Sequence, residues 1–180
     1  MKNISWESVQ EVTEREDLPA GGYICGITAV QDVSEKEYLK LEYDVAEGPY
    51  KNYFRGIFDQ YGFWPGNFIR SYKPKALGFF KKFYLNVERS NPGYRWNNDE
   101  NTLKRKLVGL VIGYEEYLNK NGAVRQRPIV TDVVTVSDIR NGNFKVKELK
   151  RLAASAEPPV SVPPASGGCA PVEDDEDLPF

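Results

Sequence analysis

From Tyr38 to Val45 the chain reads Tyr-Leu-Lys-Leu-Glu-Tyr-Asp-Val, and every second residue is apolar. Successive side chains of an extended backbone point to opposite faces. Leu39, Leu41, Tyr43 and Val45 therefore face a core together, while Tyr38, Lys40, Glu42 and Asp44 line the other face. This segment is a half-buried strand, and its neighbours must supply the rest of a sheet.

Those neighbours fit. After the turn signal Pro19-Ala20-Gly21-Gly22, residues 23–30 are β-rich, with Gly26 marking a bend or bulge. Gly48-Pro49 turns the chain into residues 53–58, read as a third strand. Residues 59–72 form a Gly- and Pro-punctuated loop rich in aromatics. Pro74 sits where helices start, and Leu77, Phe80, Tyr84 and Val87 then recur at helical spacing until Asn91-Pro92-Gly93. Residues 107–117 are apolar and β-prone. Asn121-Gly122 signals a hairpin leading into a strand over 129–136, whose Pro128 marks an edge or a strand start. Residues 144–152 are read as a short terminal helix. Three strands, a helix and a two-stranded hairpin is the order of an OB-fold. The expected fold is thus mainly β with one helix: a five-stranded Greek-key barrel with the helix between strands three and four. Some other small α+β sheet is the alternative. The expected organisation is an arm over 1–17, the domain over 18–152, a flexible linker over 153–172 and an acidic tail over 173–180.

Composition narrows the chemistry. The 180 residues include no histidine, which removes the common zinc sites, His-dependent triads and imidazole acid–base catalysis. A nuclease using paired carboxylates with Mg²⁺ is a weak alternative: Asp132 and Asp138 are conceivable ligands, but no acidic cluster has metal-ligand spacing. No metal, cofactor or enzymatic activity is expected. Cys25 sits in a strand and Cys169 in the linker, so a disulfide is not expected and the compartment is read as reducing, a cytoplasm. No apolar run approaches the roughly 20 residues of a membrane span.

Charge is segregated along the chain. All 24 Lys and Arg lie at or before Arg151. Residues 18–151 hold 22 basic and 15 acidic groups, a balance of +7; residues 1–17 stand at −3 and residues 152–180 at −6. Between Lys51 and Lys106 fall 14 of the aromatics, with 12 basic residues against four acidic ones. Single-stranded nucleic acid calls for this pairing: cations follow the phosphates, and aromatic faces stack on bases that lack a partner strand. Phe54, Phe58, Phe80 and Tyr84 have the spacing of a buried face and are read as core. Tyr38 and Lys40, on the polar face of their strand, are candidate DNA contacts, as are Tyr53 and Arg55 on the third. Trp64, between Gly62 and Gly66, is read as a mobile stacking platform or a lid on the barrel end. Lys73 and Lys75 before the helix, and Lys120, Arg125 and Arg127 on the hairpin, complete the expected set.

The sequence ends Pro171-Val172-Glu173-Asp174-Asp175-Glu176-Asp177-Leu178-Pro179-Phe180. A solvating tail has no reason to follow its acids with Leu-Pro-Phe. The composition suits capture by a partner with an apolar pocket and a basic rim. Asp174 to Phe180 resembles the C-terminal peptide of bacterial single-stranded DNA-binding proteins, which end in an acidic run, an apolar residue, Pro and Phe after a low-complexity linker. The body is longer than in the chromosomal members. It is more similar to single-stranded DNA-binding proteins of phages and prophages, as in Glu47-Gly48-Pro49-Tyr50-Lys51 and Asp138-Ile139-Arg140-Asn141-Gly142-Asn143-Phe144-Lys145. The resemblance implies a protein that coats single-stranded DNA without sequence preference during phage replication and recombination in a bacterial host cell. It also implies that Asp174, Asp175, Glu176, Asp177, Leu178, Pro179 and Phe180 recruit replication and recombination proteins. The alternative is an adaptor whose body binds protein or duplex DNA. Self-association into a homo-oligomer is a further expectation, left open because the body departs from the tetrameric chromosomal members.

Overall fold

The computed structural model describes residues 17–152. Five strands form one open antiparallel sheet in the order β3-β2-β1-β4-β5. These are β1 (Gly21–Val33), β2 (Tyr38–Val45), β3 (Asn67–Ser71), β4 (Leu107–Leu118) and β5 (Val124–Val134). Helix α1 (Tyr53–Tyr61) lies between β2 and β3, the 14-residue helix α2 (Leu77–Ser90) between β3 and β4, and α3 (Val136–Arg140) follows β5. The expectations for the arm over 1–16, the linker over 153–172 and the tail over 173–180 fall outside the described residues.

The alternation of β2 holds: Leu39, Leu41, Tyr43 and Val45 are all buried. They meet Cys25 and Ile27 of β1, Val108, Leu110 and Ile112 of β4, and Phe83 and Val87 of α2 in one cluster. β1 pairs with both β2 and β4, so Cys25 lies opposite Val45 on one side and Val108 on the other. The bulge comes between Ile27 and Ala29, just past Gly26. Burial pushes the Cys25 thiol far above its ordinary range, so it stays protonated. Pro128 lies in β5, an edge strand, where a missing donor is tolerated.

Four local expectations are corrected. Residues 53–58 begin a helix rather than a strand. Phe54, Ile57, Phe58 and Tyr61 follow the spacing of a helical stripe, and the Asp44 carboxylate accepts the backbone N–H groups of Phe54 and Arg55 at 2.9 and 3.1 Å. Asp44 is accordingly buried, although its alternation places it on the polar face. The third strand is instead Asn67–Ser71, inside the segment read as loop; it is too short and too close to Pro65 and Gly66 to show a pattern. In α2 the inward residues are Phe83, Asn86 and Val87, while Leu77 is 51% exposed. Residues 144–152 form no helix. The chain turns at Gly142 (φ 67°) and runs without regular structure until Lys150 bridges Glu115 of β4. The short helix lies earlier, at α3, where Thr135 and Asp138 form a capping box.

Candidate nucleic-acid interface

β2 turns the residues between its core positions away from the core. Register sets three rows across the sheet: Val33–Tyr38–Ser71, Gln31–Lys40–Ile69 and Ala29–Glu42–Asn67. Tyr38 and Lys40 are half-buried at their flanks, and Ile69 is 51% exposed beside Lys40. The structure therefore brings the two expected β2 residues together on one face. Arg70 lies on the opposite parity, its guanidinium 4.8 Å above the Phe68 ring. Burial lowers this group to about 10, with Asp132 pulling the other way, and it remains a cation at neutral pH.

The other expected residues separate. Tyr53 is a correction: it is buried at the start of α1, its hydroxyl accepts the Leu18 N–H at 3.2 Å, and its ring packs on Tyr50 and Phe54. That ring has no free face to offer a base. Arg55 is exposed on α1 and ion-paired with Asp59 at 3.0 Å, one helical turn on. Phe58, read as core, is 43% exposed and lies 6.0 Å from Trp64. Trp64 is half-buried and its indole N–H donates to the Gly66 carbonyl at 3.1 Å, which seats it rather than leaving it mobile. Lys120, Arg125 and Arg127 are exposed on the β4–β5 hairpin, with β1 and β4 between them and β2. Arg127 pairs with Glu115 at 2.6 Å and sits 5.3 Å over the Tyr117 ring.

Lys73 and Lys75, both exposed, lie between Tyr72 and Leu77, two residues that wall a feature sequence reasoning missed. A cleft of about 530 Å³ opens between β3's end and α2, with Tyr72, Leu77, Phe80, Lys81, Tyr84 and Trp96 on its walls. Tyr84 and Trp96 stack at 6.3 Å with planes 22° apart, and Phe80 sets its edge against Tyr72 and Trp96, 6.1 Å from each. The Tyr72 hydroxyl donates to Asp32 at 2.8 Å, a bond that raises its pKa. Trp96 is held by its backbone N–H, which donates to Glu88 of α2 at 2.8 Å. The aromatic count between Lys51 and Lys106 was the only signal of this cleft; its closure depends on a loop whose position no local pattern encodes.

The two carboxylates weighed for metal binding have other partners. Asp132 bonds Lys82 at 2.6 Å, and Asp138 accepts from the Thr135 hydroxyl at 2.6 Å. Among the described residues no three His, Cys, Asp or Glu side chains are grouped to hold a metal ion. Among the same residues, no helix is long and apolar enough to cross a membrane. No known protein-family model matches the chain, and no curated protein is significantly similar to it.

Proposed function

We propose that the chain is a sequence-tolerant single-stranded DNA-binding protein built on an OB-fold. The observation that carries this reading is the β2 face, where Tyr38 and Lys40 stand side by side on a body of net charge +7. Bases that lack a partner strand need such a stacking surface beside phosphate-binding cations. The strand order supports this reading: β3-β2-β1-β4-β5 is the order a five-stranded Greek-key barrel would have if opened between its third and fifth strands. Helix α2 packs against β3, β4 and β5, spanning that opening, and Lys82 ties it to Asp132 of β5. In OB-folds the face of strands two and three binds oligonucleotides, flanked by the loops after strands one and four. Here that assigns Tyr38 and Lys40 to the centre and Lys120, Arg125 and Arg127 to the β4–β5 flank, while Lys73 and Lys75 follow β3, which reaches the β1–β2 loop through the Tyr72 N–H bond to the Glu37 carbonyl.

The acidic Leu-Pro-Phe tail supports a role in recruiting replication and recombination proteins to coated DNA, in a phage or prophage setting. Tyr38→Ala tests the DNA surface. The variant should keep its circular dichroism spectrum and lose roughly 5- to 150-fold in affinity for oligo-dT, the range for one stacked base. An unchanged affinity would remove β2 from the interface.

A further inference from the structure

Resting on the single-strand reading, we propose that the cleft between Tyr72 and Trp96 receives one nucleobase of the bound strand and favours a base with an exocyclic amine. Three observations point to a base. The walls are aromatic, and the cleft's volume falls in the range of small-molecule sites. The segment that links Tyr72 to Leu77 carries Lys73 and Lys75, both exposed, and Lys81 lines the wall. Cations around an aromatic slot match a phosphate chain that turns one base inward. Finally, the cleft lies at the Tyr38 end of β2, although its Leu39 and Asp32 walls put it on the core side of the sheet: Ser71 pairs with Tyr38, and Tyr72 is the next residue, its N–H bonded to the Glu37 carbonyl at 2.9 Å. A strand that crosses Lys40 and Tyr38 reaches the mouth by turning over this end of the sheet.

The polar groups inside select among bases. Asp32 and Glu100 contribute carboxylates and Asn98 an amide. Asp32 is fixed by the hydroxyls of Tyr72 and Ser34, at 2.8 and 2.7 Å, and its oxygens retain further acceptor capacity. Carboxylates accept from the exocyclic amino group of cytosine, adenine or guanine, a donor that thymine lacks. The cleft therefore prefers an amine-bearing base over thymine, a local bias on an otherwise sequence-tolerant surface.

The test follows the indole N–H resonance of Trp96 in the ¹⁵N-labelled full chain, titrated with oligo-dC, oligo-dT and a synthetic peptide of residues 171–180. Saturating oligo-dC should shift that resonance more than oligo-dT does. Leu77→Glu, at an exposed position on the rim, should suppress the shift and weaken oligo-dC binding roughly 5- to 150-fold. Glu100→Gln should move the dC-to-dT affinity ratio towards one. The wild-type titration needs no variant to fold. If oligo-dC binds while the Trp96 resonance stays still, or if only the peptide moves it, the cleft is not a base site and the proposal falls alone. If no single strand binds at all, the functional reading fails and takes the cleft with it.

Discussion

The Asp44 carboxylate accepts backbone N–H bonds from Val45, Phe54 and Arg55 at 2.8, 2.9 and 3.1 Å. It thus anchors the end of β2 and the first turn of α1 with a single side chain. Asp44→Ala strands these donors in a buried setting and should cost about 1–3 kcal/mol in urea denaturation. Gly66 is constrained by space: a Cβ there would lie 2.5 Å from the Tyr43 carbonyl oxygen and 2.7 Å from the Phe54 ring. Gly66→Ala should destabilise the fold in the same assay, because the obstacle is partly backbone. Asp138 makes a pH prediction. Hydrogen bonds from the Thr135 hydroxyl and backbone hold its carboxyl below the ordinary 3.8. A folded value below the unfolded one stabilises fully above the unfolded pKa and is lost as pH falls through the folded one. Thr135→Ala should therefore cost about 1 kcal/mol at neutral pH. The gap to wild type should narrow in acid below pH 3.8, leaving the part due to Thr135 accepting the Asp138 N–H, as thermal unfolding across pH would show.

Elements were legible where one period ran long enough to be unambiguous. The eight residues of β2 alternate throughout, and the hairpin turn announces itself at Asn121-Gly122, where Gly122 takes a φ of 74°. Residues 53–58 deceived because six residues rich in aromatics fit either period, and the deciding partner, Asp44, lies ten positions before Phe54. β3 was hidden because five residues among Gly and Pro carry too little pattern. At the candidate interface the same limit applies. The shared face of Tyr38 and Lys40 followed from alternation, whereas Tyr53 failed with its strand and the aromatic cleft required tertiary closure. The hairpin offers a prediction at this scale. Arg125 faces Tyr117 across the β4–β5 pair, outside the core. If it contacts a phosphate, Arg125→Ala should reduce the slope of log affinity against log salt by about 0.7. An unchanged slope in a fluorescence titration would place the hairpin outside the DNA path.

On the scale of the molecule, a body at +7 and a C-terminal stretch at −6 belong to one chain. On the proposed reading the acids of residues 173–177 compete with phosphates for the body. Deleting residues 171–180 removes five acids and moves the formal charge from −2 to +3. DNA affinity should rise, most at low salt, and recruitment of replication proteins should be lost. Deleting Phe180 alone leaves the acids and should abolish recruitment with DNA affinity nearly unchanged, as pull-down and titration together would reveal. Beneath all of this lies one claim, that the body selects unpaired strands. Its direct measurement is a titration of the full chain with oligo-dT and with a duplex of equal length at two salt concentrations. Binding to oligo-dT should be tighter at both, with a slope of log affinity against log salt of about −0.7 per phosphate contacted. Duplex binding equal to or tighter than oligo-dT binding would contradict the claim.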